Sequence, residues 1–135
     1  MFNILRPLIF KFSPEVAHSL AIKALKLNNI PYSKPKDNHI LETTFCEKKL
    51  SSPIGVAAGF DKNAEVYNPL FNLGFGFVEV GTITPKPQFG NPKPRVFRLE
   101  EDEALINRLG FNNSGSEQIS KTCLLYTSDA ADDMA

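Results

Sequence analysis

The sequence predicts an α/β fold in which two basic amphipathic helices precede the start of a parallel sheet. Three observations carry this. Apolar residues recur at three- and four-residue steps through the N-terminal segment. A strand, a helix and a second strand then come within about thirty residues, the scale of a βαβ unit. Loops rich in Gly and Asn stand where strands end. At 135 residues, with 42% hydrophobic side chains and eleven Phe, the chain has the length of one domain and the material for a core.

The first helix is expected over Phe2 to Phe12, where Phe2, Leu5, Leu8, Ile9 and Phe12 form a stripe with Arg6 and Lys11 between them. Ser13 offers an N-cap hydroxyl, Pro14 suits the first helical position and Glu15 complements the dipole, so a second helix starts there. On its wheel Val16, Ala17, Leu20, Ala21, Ala24, Leu25 and Leu27 share one half, and Lys23 and Lys26 lie on the other. Asn28 to His39 has no apolar period and reads as a linker, dividing an N-terminal unit (1–40) from the remainder of the chain. Leu41 to Leu50 suits a short hairpin. Pro53 to Ala58 is a short run of small apolar residues, expected to be a strand buried on both faces. Asn63 to Leu73 has helical spacing and is stopped by Gly74, with Pro69 a possible kink. Phe75 to Thr82 is the second β-rich run. From Thr84 to Arg95 four of the ten prolines interrupt regular structure, giving an ordered, irregular loop. Val96 to Leu99 and Ala104 to Ile106 are short strand candidates around the acidic turn, and Asn107 to Gly115 is again a loop.

Charge and cysteine content exclude several classes. A net charge of zero gives no electrostatic reason to expect nucleic acid, whose binding needs an excess of Lys and Arg. The charge is zoned, however: residues 1–26 hold Arg6, Lys11, Lys23 and Lys26 against one acid, Glu15, while Glu100, Glu101, Asp102 and Glu103 cluster later. Cys46 and Cys123 have neither CxxC spacing nor His neighbours, so no metal site or disulfide framework is indicated. The N-terminal apolar run is too short to span a bilayer.

Ligand-contacting residues of parallel α/β folds sit where strands enter their following loops. In Ala57-Ala58-Gly59-Phe60-Asp61-Lys62, small side chains let a flat ligand lie against the backbone, and Lys62 adds a cation that favours a reduced flavin or a carboxylate. Asp61 suits a cap for the next helix. The same residues also suit plain strand packing with a solvated lysine. In Asn107-Arg108-Leu109-Gly110-Phe111-Asn112-Asn113, carboxamides both donate and accept hydrogen bonds, matching the imide edge of a pyrimidinedione, although Asn and Gly are also ordinary turn formers.

Taken in order, AAGFDKN, FGFVEVGTITPKPQFGNPKPRVFRL and INRLGFNN resemble the class 2 dihydroorotate dehydrogenases, and the likeness runs from LRPLIFKFSPEVAHSLAIKALK to about Ser116. The resemblance implies an FMN-binding (β/α)8 TIM barrel preceded by two helices that lie on the membrane and form the mouth of a quinone tunnel. Ala58, Gly59, Phe60, Asp61 and Lys62 match an FMN-contacting segment, and Thr82 a further FMN contact. Lys62, Asn107, Arg108, Leu109, Gly110 and Phe111 match dihydroorotate contacts, and His18 and Arg98 match positions beside the tunnel. Without the resemblance, His18 reads as a helix-surface histidine and Arg98 as a partner of the acidic turn. The implied reaction takes a proton from dihydroorotate with a serine base, passes a hydride to FMN and delivers the electrons to quinone. The implied location is peripheral, on the cytoplasmic face of a bacterial inner membrane.

A complete barrel of this kind takes about 250 residues. The chain is therefore expected to hold only its first strands (41–121), with the serine base beyond residue 121; Ser114 and Ser116 do not match its motif. Residues 122–135, TCLLYTSDAADDMA, depart from the family, show no helical or strand period, and read as an extraneous tail. Two other classes compete with an enzyme fragment: a non-catalytic membrane-surface module that uses the basic helices, and a different flavin- or phosphate-binding barrel.

Overall fold

The computed structural model of the protein describes residues 2–27 and 39–132. In chain order its elements are α1 (Phe2–Ile9), α2 (Pro14–Lys26), a 3-10 turn (His39–Leu41), β1 (Thr43–Phe45), β2 (Lys48–Leu50), β3 (Gly55–Val56), α3 (Tyr67–Asn72), β4 (Phe77–Val78), β5 (Val96–Leu99), β6 (Ala104–Asn107) and α4 (Ser116–Asp132). The expected linker lies outside the described residues except for His39.

The strands pair as three separate two-stranded sheets, and among the described residues no barrel closes. β1 and β2 form the expected antiparallel hairpin, with Thr43 opposite Leu50. Its two turn residues, Cys46 and Glu47, both have positive φ, the geometry that matches strand twist in a tight hairpin. β3 and β4 are parallel, with Val56 opposite Val78, and α3 is their crossover, so the βαβ unit is present. β5 and β6 pair antiparallel across the acidic turn, Val96 opposite Asn107. Gly76 lets β4 pass its neighbour: a Cβ there would stand 1.8 Å from the Ser52 carbonyl oxygen.

The core lies where α2 meets this unit. Ile22 and Leu25 of α2 pack with Val66 and Leu70, and Val56, Phe60, Phe75 and Val78 surround them. Each such side chain contributes about 1.5–3 kcal/mol when fully buried, so this cluster is the principal attachment of the helix.

Several expectations need correction. The run 53–58 is strand only at Gly55 and Val56, which are half-buried, while Ala57 and Ala58 are exposed, because among the described residues no third strand covers the β3–β4 pair. The helix expected from Asn63 begins at Tyr67. Asp61 accepts the backbone N–H groups of Glu65 and Val66, and Ala64 has φ +56, so the intervening residues form a turn. Pro69 falls in the first turn of α3, where its missing N–H costs nothing. Ser13 stands at the N-cap of α2, but its hydroxyl makes no capping bond.

The docking face of α2 also differs. Val16, Leu20 and Leu27 are 47%, 46% and 69% exposed, and Ile22, absent from the expected face, is buried. At about 100° per residue, Glu15, His18, Ile22 and Leu25 form a contiguous strip roughly opposite Val16 and Leu20. The polar members of that strip find partners on the sheet side, which settles the orientation. Finally, α4 continues through residues expected to be irregular, because extending a helix already nucleated at Ser116 is far cheaper than starting one, and Leu and Ala are good helix formers.

Candidate functional site

The turn after β3 is built from the inside. Asp61 is 1% exposed, and its two carboxylate oxygens accept the N–H groups of Glu65 and Val66 at 2.8 Å each. The segment after β4 clips the same turn: the Gly59 N–H donates to the Gly81 carbonyl at 2.8 Å, and the Gly81 N–H to the Asp61 carbonyl at 3.0 Å. Gly59 has φ +106, a conformation that disfavours any side chain, and the space where a Cβ would stand is open for 4 Å. The backbone is thus presented bare. Lys62 Nζ donates to the Gly59 carbonyl at 2.6 Å. Burial pushes the Lys62 pKa below the ordinary lysine value; the Glu15 carboxylate opposes this, and Arg95 adds to it.

α2 forms one wall over this turn. His18 Nε2 lies 2.7 Å from the Phe60 carbonyl, and the two rings meet edge to face at 5.4 Å. Arg95, 6% exposed, donates Nε (3.0 Å) and Nη2 (2.8 Å) to Glu15 Oε1, and Nη1 to the carbonyls of Phe89 and Asn91. The hydrogen bonds from Arg95 hold the Glu15 pKa below the usual carboxylate value, against an upward push from burial. Lys26 pairs with Glu65 at 2.5 Å. Arg98 donates to the Phe12 carbonyl at 2.8 Å and lies 4.4 Å over the Phe10 ring, so it clamps the end of α1 rather than the acidic turn.

The loop after β6 is tied to the Pro-rich segment. The Arg108 N–H donates to the Arg95 carbonyl (2.8 Å), the Asn91 N–H to the Leu109 carbonyl (3.0 Å), and Asn91 Nδ2 to the Arg108 carbonyl (2.7 Å). Buried Asn113 organises its far end: Oδ1 accepts the N–H groups of Thr84 (3.2 Å) and Gly115 (2.9 Å), while Nδ2 donates to the Phe111 carbonyl (2.7 Å). The neighbouring Asn112 Oδ1 is buried without a hydrogen-bond partner.

These pieces enclose a cleft of about 690 Å³. Of the residues singled out from sequence, Gly59, Phe60, Asp61, Lys62, Asn107, Leu109, His18 and Arg98 share its walls. The others stand aside. Ala58 is exposed next to Gly59, and Thr82 is exposed directly after Gly81, which bonds the turn. The Arg108 guanidinium turns away to the Pro94 carbonyl, Gly110 abuts Asn91, and Phe111 is exposed. Asn112, one of the carboxamides of the 107–113 loop, also lines the cleft, as do Glu15 and Arg95, which sequence reasoning misses. One signal is available for Glu15: a lone acid in a basic segment is a natural ion-pair partner. Arg95 carries none, since its carbonyl partners belong to irregular backbone.

Asp61 illustrates what the geometry permits. Its carboxylate is fully engaged with the backbone, so the turn can offer a ligand only its main chain and Lys62. The arrangement suits a flat ligand with a negative or hydrogen-bonding edge. Among the described residues no group of His, Cys, Asp and Glu is placed to hold a metal ion, and no helix is long and apolar enough to cross a membrane.

Known proteins resemble this chain in sequence and in structure. The dihydroorotate dehydrogenase family model matches residues 40–134. A protein of Rhodospirillum rubrum named dihydroorotate dehydrogenase (quinone) is 55% identical over 111 residues, which is 82% of this chain and 30% of that protein. A protein of the same name from Rhodopseudomonas palustris is 57% identical over 113 residues, 84% of this chain and 31% of its own length. The crystal structure of DHODH from Eimeria tenella in complex with ferulenol superposes with a TM-score of 0.77 at 47% identity, covering 82% of this chain and 29% of that one. The chain thus spans about three-tenths of the length of these relatives. With a family model over most of its length and relatives this similar, the chain belongs to the dihydroorotate dehydrogenase family.

Proposed function

We propose that this chain supplies the flavin- and dihydroorotate-facing wall of an enzyme that oxidises dihydroorotate to orotate in pyrimidine synthesis, with FMN as cofactor and quinone as electron acceptor. One observation carries the reading: the bare backbone of Gly59, the Lys62 ammonium and the loop of Asn107 and Leu109 converge on a single cleft. The family is flavin-dependent, and relatives carry quinone in their names.

The residues present fit FMN. The open face at Gly59 leaves room for a planar ring, and the orphaned Asn112 Oδ1 is an acceptor awaiting an N–H donor. When bound, FMN supplies a two-electron acceptor. Gly59 and Phe60 offer main-chain contacts, and Lys62 provides positive charge where negative charge accumulates during reduction. Asn107 orients the substrate, and α2, anchored through His18, excludes water from one side. Ser114 and Ser116 do not match the motif of the family's serine base, and the 135 residues alone are expected to bind flavin weakly and not to turn over.

Val16 and Leu20 of α2, Leu27 at its C-cap, and Ile4, Leu5, Leu8 and Phe12 of the α1 segment are exposed, giving the N-terminal segment that carries Lys11 and Lys23 an apolar surface. This supports binding at the headgroup level of a membrane, in line with a peripheral location on the cytoplasmic face of a bacterial inner membrane. The same surface favours a second reading, a non-catalytic membrane-binding module. Binding of the 135-residue chain to anionic liposomes, lost in Lys11→Glu/Lys23→Glu, together with no flavin in the full-length protein, would select it. Residues 122–132 continue α4; genomic sequence across the junction at 122 tests whether the tail 122–135 is native.

The deciding experiment is to purify the full-length protein that carries this sequence and follow dihydroorotate-dependent quinone reduction. The expected result is a yellow enzyme whose activity falls at least about a hundredfold in Lys62→Ala and in Asn107→Ala. A colourless protein, or undiminished activity in both variants, would refute the assignment.

A further inference from the structure

We propose that Asn63 is a positioning residue of the cleft: its side chain ties the turn that carries Lys62 to the loop that carries Asn107 and Leu109, and so sets the gap between the two arms that hold a substrate. This rests on the reading of the cleft as the flavin and substrate site. Asn63 lines that cleft directly after Lys62, and its Oδ1 accepts the Ser114 N–H at 2.9 Å.

Each arm is rigid in itself. In the first, Asp61 closes the turn from inside by accepting the Glu65 and Val66 N–H groups, and fully buried Ala64 is held at φ +56. A side chain is disfavoured in that left-handed region and persists there only where the surroundings fix the backbone. Asn63 stands between Lys62 and this residue, so its direction is set by the turn. In the second arm four successive N–H groups are captured. Asn113 donates to the Gln88 carbonyl (3.0 Å), Gly115 to Asn113 Oδ1 (2.9 Å) and Ser116 to the Thr84 carbonyl (2.9 Å). Those three bonds tie the loop to the Pro-rich segment or to itself. Ser114 is the member of the series whose N–H reaches across to the other arm.

Among the described residues this is the one hydrogen bond that runs directly between the 59–66 turn and the 107–116 segment. The other route is indirect: Gly81 clips the turn, and farther along the same segment Thr84 meets Asn113, with exposed Thr82 and Ile83 between them. Asn63 uses its oxygen in this bond, so a carboxylate of the same shape can take its place. A ligand held by Lys62 on one side and by Asn107 on the other must meet both at once. If the gap between them fluctuates, each binding event has to restore it. That cost falls on affinity rather than on the chemical step.

The test uses the full-length protein that carries this sequence. Asn63→Ala is expected to raise the KM for dihydroorotate about fivefold or more, with kcat changed less than about twofold and flavin content unaltered. Asn63→Asp keeps the acceptor; at about 0.3 M salt, where its added charge is largely screened, its KM is expected to stay within about twofold of the unsubstituted value. A purely local structural role would lower the melting temperature and leave KM alone. An unmoved KM in Asn63→Ala, or an equal rise in Asn63→Asp, overturns the proposal. If Asn63→Ala does not fold, Asn63→Gln replaces it: its oxygen is displaced by one methylene, so a raised KM supports the proposal and an unmoved one overturns it. Amide hydrogen exchange at Ser114 gives a readout independent of activity, expected to be faster in Asn63→Ala and unchanged in Asn63→Asp; equal rates in Asn63→Ala and the unsubstituted protein also overturn the proposal. Absence of dihydroorotate oxidation in the unsubstituted protein would sink the functional reading, while exchange at Ser114 still decides whether Asn63 couples the two arms.

Discussion

The turn after β3 and the loop after β6 reach the same cleft, and each is organised by one buried polar side chain, but the two side chains differ in kind. Asp61 faces two backbone N–H groups and nothing else, so an acceptor with two oxygens satisfies the turn completely. Asn113 must accept from Thr84 and Gly115 and also donate to the Phe111 carbonyl, so only a carboxamide serves. An acid suits a turn closing on its own donors, and an amide suits a crossing of strands of opposite need. Isosteric swaps make this comparison testable.

The largest effect is expected in Asp61→Asn, which turns an NH₂ group toward a backbone N–H and strands a buried donor, costing about 3 kcal/mol in urea unfolding. A cost below about 1 kcal/mol would mean that water reaches the turn. Asn113→Asp should cost about 2 kcal/mol at neutral pH, because donation to Phe111 is lost and a charge is buried. Its sign with pH is opposite to that of a paired acid: burial raises the new carboxyl's pKa, the protonated form can donate again, and the penalty shrinks as pH falls. A penalty independent of pH between about 4 and 8 would break the comparison. Gly59→Ala should cost about 1.5 kcal/mol of backbone strain alone, since nothing stands within 4 Å of the added methyl. Circular dichroism melts should show it without loss of fold. Asn91→Ala comes last, at about 1 kcal/mol, because four main-chain bonds still join the Pro-rich segment to the loop.

Local chemistry in this chain is legible from sequence where it depends on neighbours in the chain. The hairpin of Thr43–Leu50, the βαβ order and the helix stop at Gly74 all follow from residue type and period. The clustering of Gly59 to Lys62 with Asn107 and Leu109 follows from both segments ending strands. The long-range pairs are not legible in this way. The orientation of α2 is set by Glu15 meeting Arg95 eighty positions away and His18 meeting the Phe60 carbonyl, contacts that no wheel contains. For the same reason sequence spacing starts α3 too early: Asp61 has the look of a helix cap, whereas its bonds close a turn that delays the helix to Tyr67.

The two-sidedness of α2 has a mechanical consequence. Val16 and Leu20 point outward from the same rigid rod whose other side carries Glu15, His18 and Ile22. Whatever grips the outer row cannot tilt, lift or rotate the rod without displacing the ion pair and the imidazole on the inner row. A thirteen-residue lever thus ties the surroundings of the molecule to the seat of its chemistry, with no hinge between them.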